Sequence, residues 1–335
     1  MIFYGDQHLF FQDNHIYIDI ALLSNSFLFK NSEFKKNSSL RSLSVLSGRK
    51  DATNYHYFNF ELFIEKYQIL KKDSTISQLS FSWLTWFIGF AEGDGSFIVA
   101  KRGDIYFVIT QDTRDIQILY MIKEVLGFGN VIKQSNTTSR YVVQDKKGLY
   151  LISLLFNGNL VSRNKHISYK LFNKSINEYS KKGKIVLNTI VYNPLLVKPS
   201  LEDSWISGFV DAEGCFSVSL KSKDNGYNIV FDLAHKNLYP NNNETELSIL
   251  LELFKVGKIR KHSLGENINY YRVSGLSDTS CLFPYFDKHQ LRSKKLKSYL
   301  LWRNLHFKLL NKEHLDPTLR HSLKVLCSKV NNTWD

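Results

Sequence analysis

Trp86-Phe-Ile-Gly-Phe-Ala-Glu-Gly-Asp94-Gly-Ser-Phe-Ile-Val99 has a second copy in this sequence, Trp205-Ile-Ser-Gly-Phe-Val-Asp-Ala-Glu213-Gly-Cys-Phe-Ser-Val218. Each copy begins with an apolar pattern that predicts a helix. An acid and a glycine end that helix, and the residues that follow alternate as in a strand. A repeat of this length indicates two similar halves in one chain, related by a pseudo-twofold axis.

The similarity continues downstream in three further pairs of segments: 107–111 with 231–235, 129–133 with 257–261, and 165–172 with 295–302. Each half therefore predicts the order helix, strand, strand, helix, strand, strand, helix in an α+β fold. The repeat divides the chain into an N-terminal extension (1–80), a first half-domain (81–180), a linker (181–203), a second half-domain (204–312) and a C-terminal tail (313–335). The extension is expected to be partly disordered or exon-derived, with one helix over 58–70.

Composition limits the class of protein. The 335 residues are 43% hydrophobic, which favours packed domains over intrinsic disorder. Lys and Arg number 44 against 31 Asp and Glu, and the net charge of +13 indicates a polyanionic partner, with nucleic acid first. No apolar run reaches the length of a membrane span. A disulfide scaffold and a thiolate zinc site are excluded, because no C-x-x-C pair occurs among Cys215, Cys281 and Cys327.

Small residues lie four positions apart in each predicted first helix, at Gly89 and Gly93 and at Gly208 and Ala212. This spacing puts them on one helix face and lets two helices approach closely. If the two helices pack along the pseudo-axis, the acids at their ends emerge side by side. The glycine after each acid fits the left-handed turn that often ends a helix.

Two neighbouring carboxylates, those of Asp94 and Glu213, repel each other unless divalent cations neutralise them. The helix ends add main-chain carbonyls, those of Gly93 and Ala212, which are hard oxygen ligands. The pattern therefore predicts a Mg²⁺ site. One copy alone would indicate ordinary packing and a solvated helix end, but two copies that open the same string of elements argue against coincidence.

The sequence resembles a single-chain LAGLIDADG homing endonuclease of the kind encoded in organellar group I introns. The matching nonapeptides are 87–95 and 206–214, and the resemblance covers about 82 to 310. It implies two αββαββα half-domains with antiparallel sheets that form a saddle over DNA. It also implies a monomer that cleaves both strands of a long asymmetric target to leave staggered ends.

The resemblance also implies roles for individual residues. Asp94 and Glu213 would bind and share two or three Mg²⁺ ions, while Lys165, Lys295 and Gln111 would support the active-site water network. His235 stands opposite Gln111, and the adjacent Lys294 leaves the register of the second lysine open. The acids two residues before the metal ligands, Glu92 and Asp211, fit structural partners at the helix ends better than metal ligands.

DNA is expected to contact the polar faces of the sheets, where side chains alternate. In the strand after Glu213, Phe216, Val218 and Leu220 would face the core. The DNA-binding residues expected on the sheets and their turns are Ser217, Ser219, Lys221, Lys223, Lys258, Arg260, His262, Arg272, Arg140, Gln144 and Lys101. Alternation alone would also give an ordinary solvated sheet face.

Two alternatives keep the fold and change the function. An RNA maturase would use the basic surface to help a group I intron splice, with or without DNA cleavage. A regulator-like protein would bind DNA without cutting it. Intact acids in both copies favour the nuclease over either alternative.

Motifs of two other enzyme classes are absent. Neither the metalloprotease motif H-E-x-x-H nor the phosphate-binding motif G-x-x-x-x-G-K-[ST] occurs in the sequence.

The expected location is the mitochondrial matrix. Residues with A/T-rich codons are abundant, including 24 Phe and 18 Tyr, whereas Pro occurs only 5 times. This bias is typical of an organelle genome. The N-terminus does not resemble a transit or signal peptide, and a protein made inside the organelle needs neither.

Overall fold

The computed structural model describes residues 56–71, 78–182, 186–221, 225–236, 246–261 and 268–332. The chain divides into two units, Met1–Asn54 and Tyr55–Asp335, and all described residues belong to the second. Most of the predicted N-terminal extension therefore lies outside the described residues.

The first half follows the predicted order of helices and strands. Its elements are α1 (Glu61–Lys71), α2 (Phe81–Asp94), β1 (Gly95–Val99), β2 (Ile105–Asp112), α3 (Ile116–Leu126), β3 (Asn130–Lys133), β4 (Thr138–Val143), α4 (Lys146–Phe156) and α5 (Arg163–Ser180). The four strands form one antiparallel sheet in the order β1-β2-β4-β3.

The second half repeats this arrangement. Its elements are α6 (Trp205–Glu213), β5 (Gly214–Leu220), β6 (Tyr227–Lys236), α7 (Glu246–Phe254), β7 (Lys258–Lys261), β8 (Ile268–Ser274), α8 (Leu276–Ser280), α9 (Phe283–Lys288), α10 (Lys295–Leu310) and α11 (Pro317–Lys329). Its sheet has the equivalent order β5-β6-β8-β7. Each half adds helices that the sequence pattern did not predict, α4 in the first and α8 and α9 in the second, before its lysine-bearing helix.

Helices α2 and α6 cross at the predicted small residues. A Cβ placed on Gly89 would lie 2.1 Å from the carbonyl oxygen of Trp205, and one placed on Gly208 would lie 1.9 Å from that of Trp86. The contact is therefore reciprocal, and each backbone fills the space that a side chain would need. Only glycine permits this separation at either position.

Burial explains why α2 is so apolar. Ten of its consecutive residues, Trp83 to Glu92, are buried, and the helix packs against α6 and the first sheet. Within the described ranges, no helix combines the length and the apolar character that a membrane crossing requires.

The glycines after the two acids differ from the sequence expectation. Gly95 (φ −86°, ψ 155°) and Gly214 (φ −77°, ψ 153°) are extended rather than left-handed. They are the first residues of β1 and β5. Their small size matters for another reason, because a Cβ on Gly95 would lie 2.5 Å from the carbonyl oxygen of Ala91 and one on Gly214 2.6 Å from Cγ1 of Val210. The chain thus passes straight from helix to strand.

Residues 56–71 and the predicted linker both pack on the first half-domain. Asn59 N–H donates to Oδ1 of buried Asn159 at 2.8 Å, and the Asn159 amide donates to Asn59 O at 2.7 Å. Tyr67 on α1 donates to Leu126 O at 3.0 Å. In the linker, Ile190 exchanges two hydrogen bonds with the side chain of Asn177 on α5. The first half-domain therefore includes contacts from segments before residue 81 and after residue 180.

We predict that Gly208→Ala lowers the free energy of unfolding by more than about 3 kcal/mol, because the added methyl group overlaps the backbone of α2. Gly103→Ala is the matched control, since a Cβ at Gly103 meets nothing within 4 Å and only its φ of +95° opposes the change. We expect the control to cost about 1–2 kcal/mol. Urea unfolding measures both, and equal losses in the two variants would contradict the close packing of α2 and α6.

Candidate active site

The two acids lie where α2 and α6 converge. Asp94 is the last residue of α2 and Glu213 is the last residue of α6. A Cβ placed on Gly93 would lie 2.2 Å from Cβ of Ala212 and 3.2 Å from Cγ of Glu213. The structure thus brings together the ends of the two repeats, which are more than a hundred residues apart in the chain.

Both carboxyls are partly withdrawn from solvent. Burial raises the pKa of Asp94, while a hydrogen bond from Gln111 and the charges of Lys295 and Lys165 oppose the rise. Burial also raises the pKa of Glu213, and the negative charge of Asp94 raises it further. The effect of Asp94 on the pKa of Glu213 means that the two carboxylates are close enough to repel each other, as predicted for carboxylates that share a site.

The predicted supporting residues surround these acids. Gln111 Nε2 donates to Oδ2 of Asp94 at 2.5 Å. Lys165 Nζ donates to Gly95 O at 2.5 Å, directly beyond the first acid. Burial lowers the pKa of Lys165, and the charges of Glu92 and Asp94 oppose that shift.

The structure distinguishes the two adjacent lysines at the start of α10. Lys295 Nζ donates to the carbonyl oxygens of Ala212 at 2.7 Å and Val210 at 3.2 Å, at the end of α6. Burial lowers the pKa of Lys295, opposed by the nearby acids Asp211, Asp94 and Glu213. Lys294 instead interacts with Asp115 through its backbone N–H at 3.3 Å and through its charge. Lys295 is therefore the counterpart of Lys165.

The two halves differ in the polar residue beside the acid. Gln111 and His235 occupy equivalent positions, two residues beyond the partners of Gly95 and Gly214 in β2 and β6. His235 does not reach Glu213. Its ring packs edge-on to Phe209 with centroids 5.2 Å apart, and its Nε2 lies 3.8 Å from Oε2 of Glu246. Among the described residues, only the first acid has a side-chain amide donor.

Glu92 and Asp211 connect the two halves through buried hydrogen bonds. Glu92 accepts from the indole N–H of Trp205 at 2.6 Å, and Asp211 accepts from that of Trp86 at 2.8 Å. Each bond joins one half to the other. Burial raises the pKa of Glu92 to about 8, against the opposing effect of its hydrogen bonds.

The same two acids also hold the segments that lead into the lysine-bearing helices. Glu92 accepts the backbone N–H groups of Val161 at 2.9 Å and Ser162 at 2.7 Å, just before α5. Asp211 accepts those of Arg292 at 2.7 Å and Ser293 at 3.1 Å, just before α10. These acids therefore position the helices that carry the active-site lysines.

Sequence reasoning did not identify the tryptophans as partners of these acids. Both indoles are fully buried, and each lies six residues before the acid of its own motif. The sequence did contain evidence for these bonds. Trp86 and Trp205 occupy the same position in both copies, and a buried indole N–H needs an acceptor.

The oxygen donors at the helix ends fit a hard divalent cation. Two half-buried carboxylates that repel each other gain from neutralisation, and the Ala212 carbonyl lies at the same helix end. Gly93, whose carbonyl is the other predicted ligand, has the corresponding position in α2. Among the residues that the structure describes, no group of three or more His, Cys, Asp or Glu side chains is placed to hold a metal ion, so side chains other than the two acids would not complete the shell. This donor set suits Mg²⁺ or Ca²⁺, with water or phosphate oxygens completing the shell.

The sheet face turned away from the core is called here the saddle face. On β5, Phe216, Val218 and Leu220 are buried, whereas Ser219 and Lys221 are exposed and Ser217 is half-buried. Lys258 and Arg260 on β7 and Arg272 on β8 are also exposed. Arg272 is already paired, donating to both carboxylate oxygens of Asp232 at 2.7 Å. Two of the predicted DNA-binding residues, Lys223 and His262, lie outside the described residues.

The saddle face of the first sheet carries fewer charges. Arg140 is half-buried between Thr110 and Ile132 of the neighbouring strands, and its Nε is buried without a hydrogen-bond partner. Gln144 and Lys101 are exposed just beyond β4 and β1. The two halves therefore present different surfaces to a partner despite their common fold.

Two solved structures that share this architecture are complexes with a DNA target. I-SmaMI bound to an uncleaved DNA target in the presence of calcium ions has a TM-score of 0.61 at 22% identity, over 74% of this chain and 98% of that one. The LAGLIDADG homing endonuclease I-GzeII in complex with its DNA target has a TM-score of 0.62 at 22% identity, over 73% and 97%. The predicted α+β fold of two half-domains is confirmed.

The LAGLIDADG endonuclease family profile matches residues 87–176 and 206–306, which together exceed half of the chain. The chain therefore belongs to the LAGLIDADG endonuclease family. The probable intron-encoded endonuclease 4 of Neurospora crassa is 37% identical over 243 residues, 71% of this chain and 42% of the relative. A probable intron-encoded endonuclease of Schizosaccharomyces pombe, Cox1-I1b, is 30% identical over 49% of this chain and 50% of the relative. The chain thus spans half or less of the length of these two relatives.

We predict that Trp205→Phe destabilises the protein by about 1–3 kcal/mol more than Trp83→Phe. Both changes remove the same ring area from a buried position, but only Trp205→Phe leaves a buried carboxylate, that of Glu92, without its indole donor. Trp83 donates only to the weakly accepting sulfur of Met121 at 3.3 Å. Urea unfolding of the two variants gives the difference, and equal losses would show that the bond between the halves adds no stability.

Proposed function

We propose that this chain is a site-specific homing DNA endonuclease that makes a metal-dependent, staggered double-strand cut in a long asymmetric DNA target. The observation that carries the proposal is the convergence of Asp94 and Glu213 at the ends of two crossed helices, each acid beside its own half-buried lysine. One acid and one lysine for each strand is the arrangement that a double-strand cut requires. Membership of an endonuclease family supports the same reaction.

The chain's own groups have distinct tasks in the proposed reaction. Asp94 and Glu213 hold the divalent cations and orient the scissile phosphates between the halves. Gln111 fixes the carboxylate of Asp94. Lys165 and Lys295 place positive charge beside the reacting phosphates, where negative charge develops during phosphodiester cleavage.

We infer that the cofactor is Mg²⁺, with two or three ions shared by the paired acids. When bound, such ions supply a more acidic water and neutralise charge on the attacked phosphate. The hard oxygen donors and the mutual repulsion of the carboxylates support this assignment. The presence of calcium in the I-SmaMI complex is in keeping with an oxygen-rich site in a relative.

Double-stranded DNA is the proposed partner of the saddle faces, and a monomer suffices because one chain contains both halves. The net charge of +13 and the exposed basic residues of β7 support an electrostatic attraction to the phosphate backbone.

Two observations support a mitochondrial origin. The amino-acid composition favours residues with A/T-rich codons, and one relative is the cox1 intron-2 protein of S. pombe.

The first experiment incubates the purified chain with duplex DNA that carries the uninterrupted sequence flanking its coding element, with Mg²⁺ or with EDTA. We expect double-strand cleavage only with the metal. Asp94→Asn and Glu213→Gln should each lower the cleavage rate at least about 100-fold while binding is retained. Glu252→Gln is the matched control, because Glu252 is an exposed acid that pairs with Lys198, and it should cut normally. Normal cutting by the Asp94 and Glu213 double variant would contradict the site assignment.

A second experiment separates the two adjacent lysines. Lys295→Met should lower the cleavage rate roughly 100-fold, because it removes a buried positive charge beside the reacting phosphate. Lys294→Met should stay within about twofold of the unchanged protein, since Lys294 interacts with Asp115 instead. Single-turnover kinetics, with the protein in saturating excess over the DNA, measure the chemical step. A larger decrease for Lys294→Met would reverse the assignment.

A further inference from the structure

Helix α11 lies outside the segments that match the family. The second match ends at residue 306, and α11 spans Pro317–Lys329. The sequence pattern assigned these residues to a tail. Instead, α11 packs against β5 and α10, with Leu323 and Val330 buried. The first half-domain continues into the linker at the corresponding point, so this helix makes the two halves unequal.

Two contacts fix the direction in which α11 runs along β5. Near its beginning, Arg320 Nη2 donates to Lys221 O at 2.7 Å, just past the end of β5. Just after its end, Asn331 Nδ2 lies 3.5 Å from Sγ of Cys215, the second residue of β5. The helix therefore runs antiparallel to the strand along its whole length.

The second of these contacts is made on the saddle face. Cys215 pairs with Asp232, which pairs with Arg272, and these three residues form one row across the sheet. The neighbouring row, Phe216 with Phe231, faces the core. The C-terminal end of α11, which Asn331 follows, therefore adjoins the saddle face at Cys215, two residues after Glu213 in the chain.

Lys324 lies on the side of α11 that carries Arg320. At 3.6 residues per turn, positions four residues apart are separated by only about 40° around the helix axis. Arg320 and Asn331 contact the two ends of β5, so Lys324 lies between them, alongside the strand that carries Ser217 and Ser219. Its side chain is exposed. Between Pro317 and Lys329 the helix contains no acidic residue.

We propose that this side of α11 extends the DNA-binding surface of the second half, with Lys324 contacting a backbone phosphate beside the DNA segment that β5 contacts. The inference rests on the proposed DNA binding by the saddle. A phosphate contact positions the duplex without reading its sequence. It would anchor the DNA beside β5, on one half only.

Equilibrium binding of the full-length chain to its target duplex and to an unrelated duplex, measured over a range of salt concentrations, tests the proposal. Lys324→Ala should weaken binding to both duplexes by a similar factor. It should also make the slope of log affinity against log salt shallower by about 0.9, the value for one phosphate contact. Lys329→Ala is the matched control, an exposed lysine of the same helix about 140° away from Lys324 around the axis. Its slope should equal that of the unchanged protein.

The outcomes separate this inference from the proposed function. Unchanged slopes in both variants, or equal changes in both, would overturn the assignment of Lys324 while leaving DNA binding intact. Failure of the unchanged protein to bind duplex DNA would overturn the proposed function and this surface with it.

Phosphate-ethylation interference adds a positional test of the same proposal. Ethylation of the phosphate that Lys324 contacts should weaken binding of the unchanged protein but have no effect on Lys324→Ala. Phosphates that show this difference should all lie in one half of the target. Differences spread over both halves would contradict the proposal.

Discussion

The close approach of α2 and α6 is the constraint on which the rest of this molecule depends. Gly89 and Gly208 each face the backbone of the opposite helix, and no side chain fits between them. Because the helices meet there and again at Gly93 and Ala212, their C-terminal ends arrive together. The two sheets begin at those ends. A single packing contact thus places two carboxylates at one point and sets the position of both saddle faces.

Buried polar contacts then connect this helix pair to the proposed catalytic residues. Glu92 accepts hydrogen bonds from Trp205 of the other half and from the segment that precedes α5, and Asp211 has the equivalent arrangement. A buried carboxyl is costly unless its oxygens have donors. These two acids have several donors each, so they couple the packing of the halves to the positions of Lys165 and Lys295. Stability and catalytic geometry therefore share the same residues.

The halves are similar in fold and different in detail. Only Asp94 has an amide donor, since His235 lies against Phe209 and Glu246. The second sheet carries more basic side chains, and among the described residues α11 has no counterpart in the first half. Such differences suit an asymmetric DNA target, because a symmetric surface would favour a palindrome.

Local patterns in the sequence were enough to predict the repeated halves, the glycine contact and the paired acids. Apolar periodicity defines helices and strands within a few residues, and a duplicated motif implies that equivalent residues meet at an axis. Only the tertiary structure revealed three further features, namely the tryptophan–carboxylate bonds, the choice of Lys295 over Lys294 and the position of α11 along β5. Each depends on contacts between residues far apart in the chain, and neither periodicity nor spacing within one element specifies which distant groups meet.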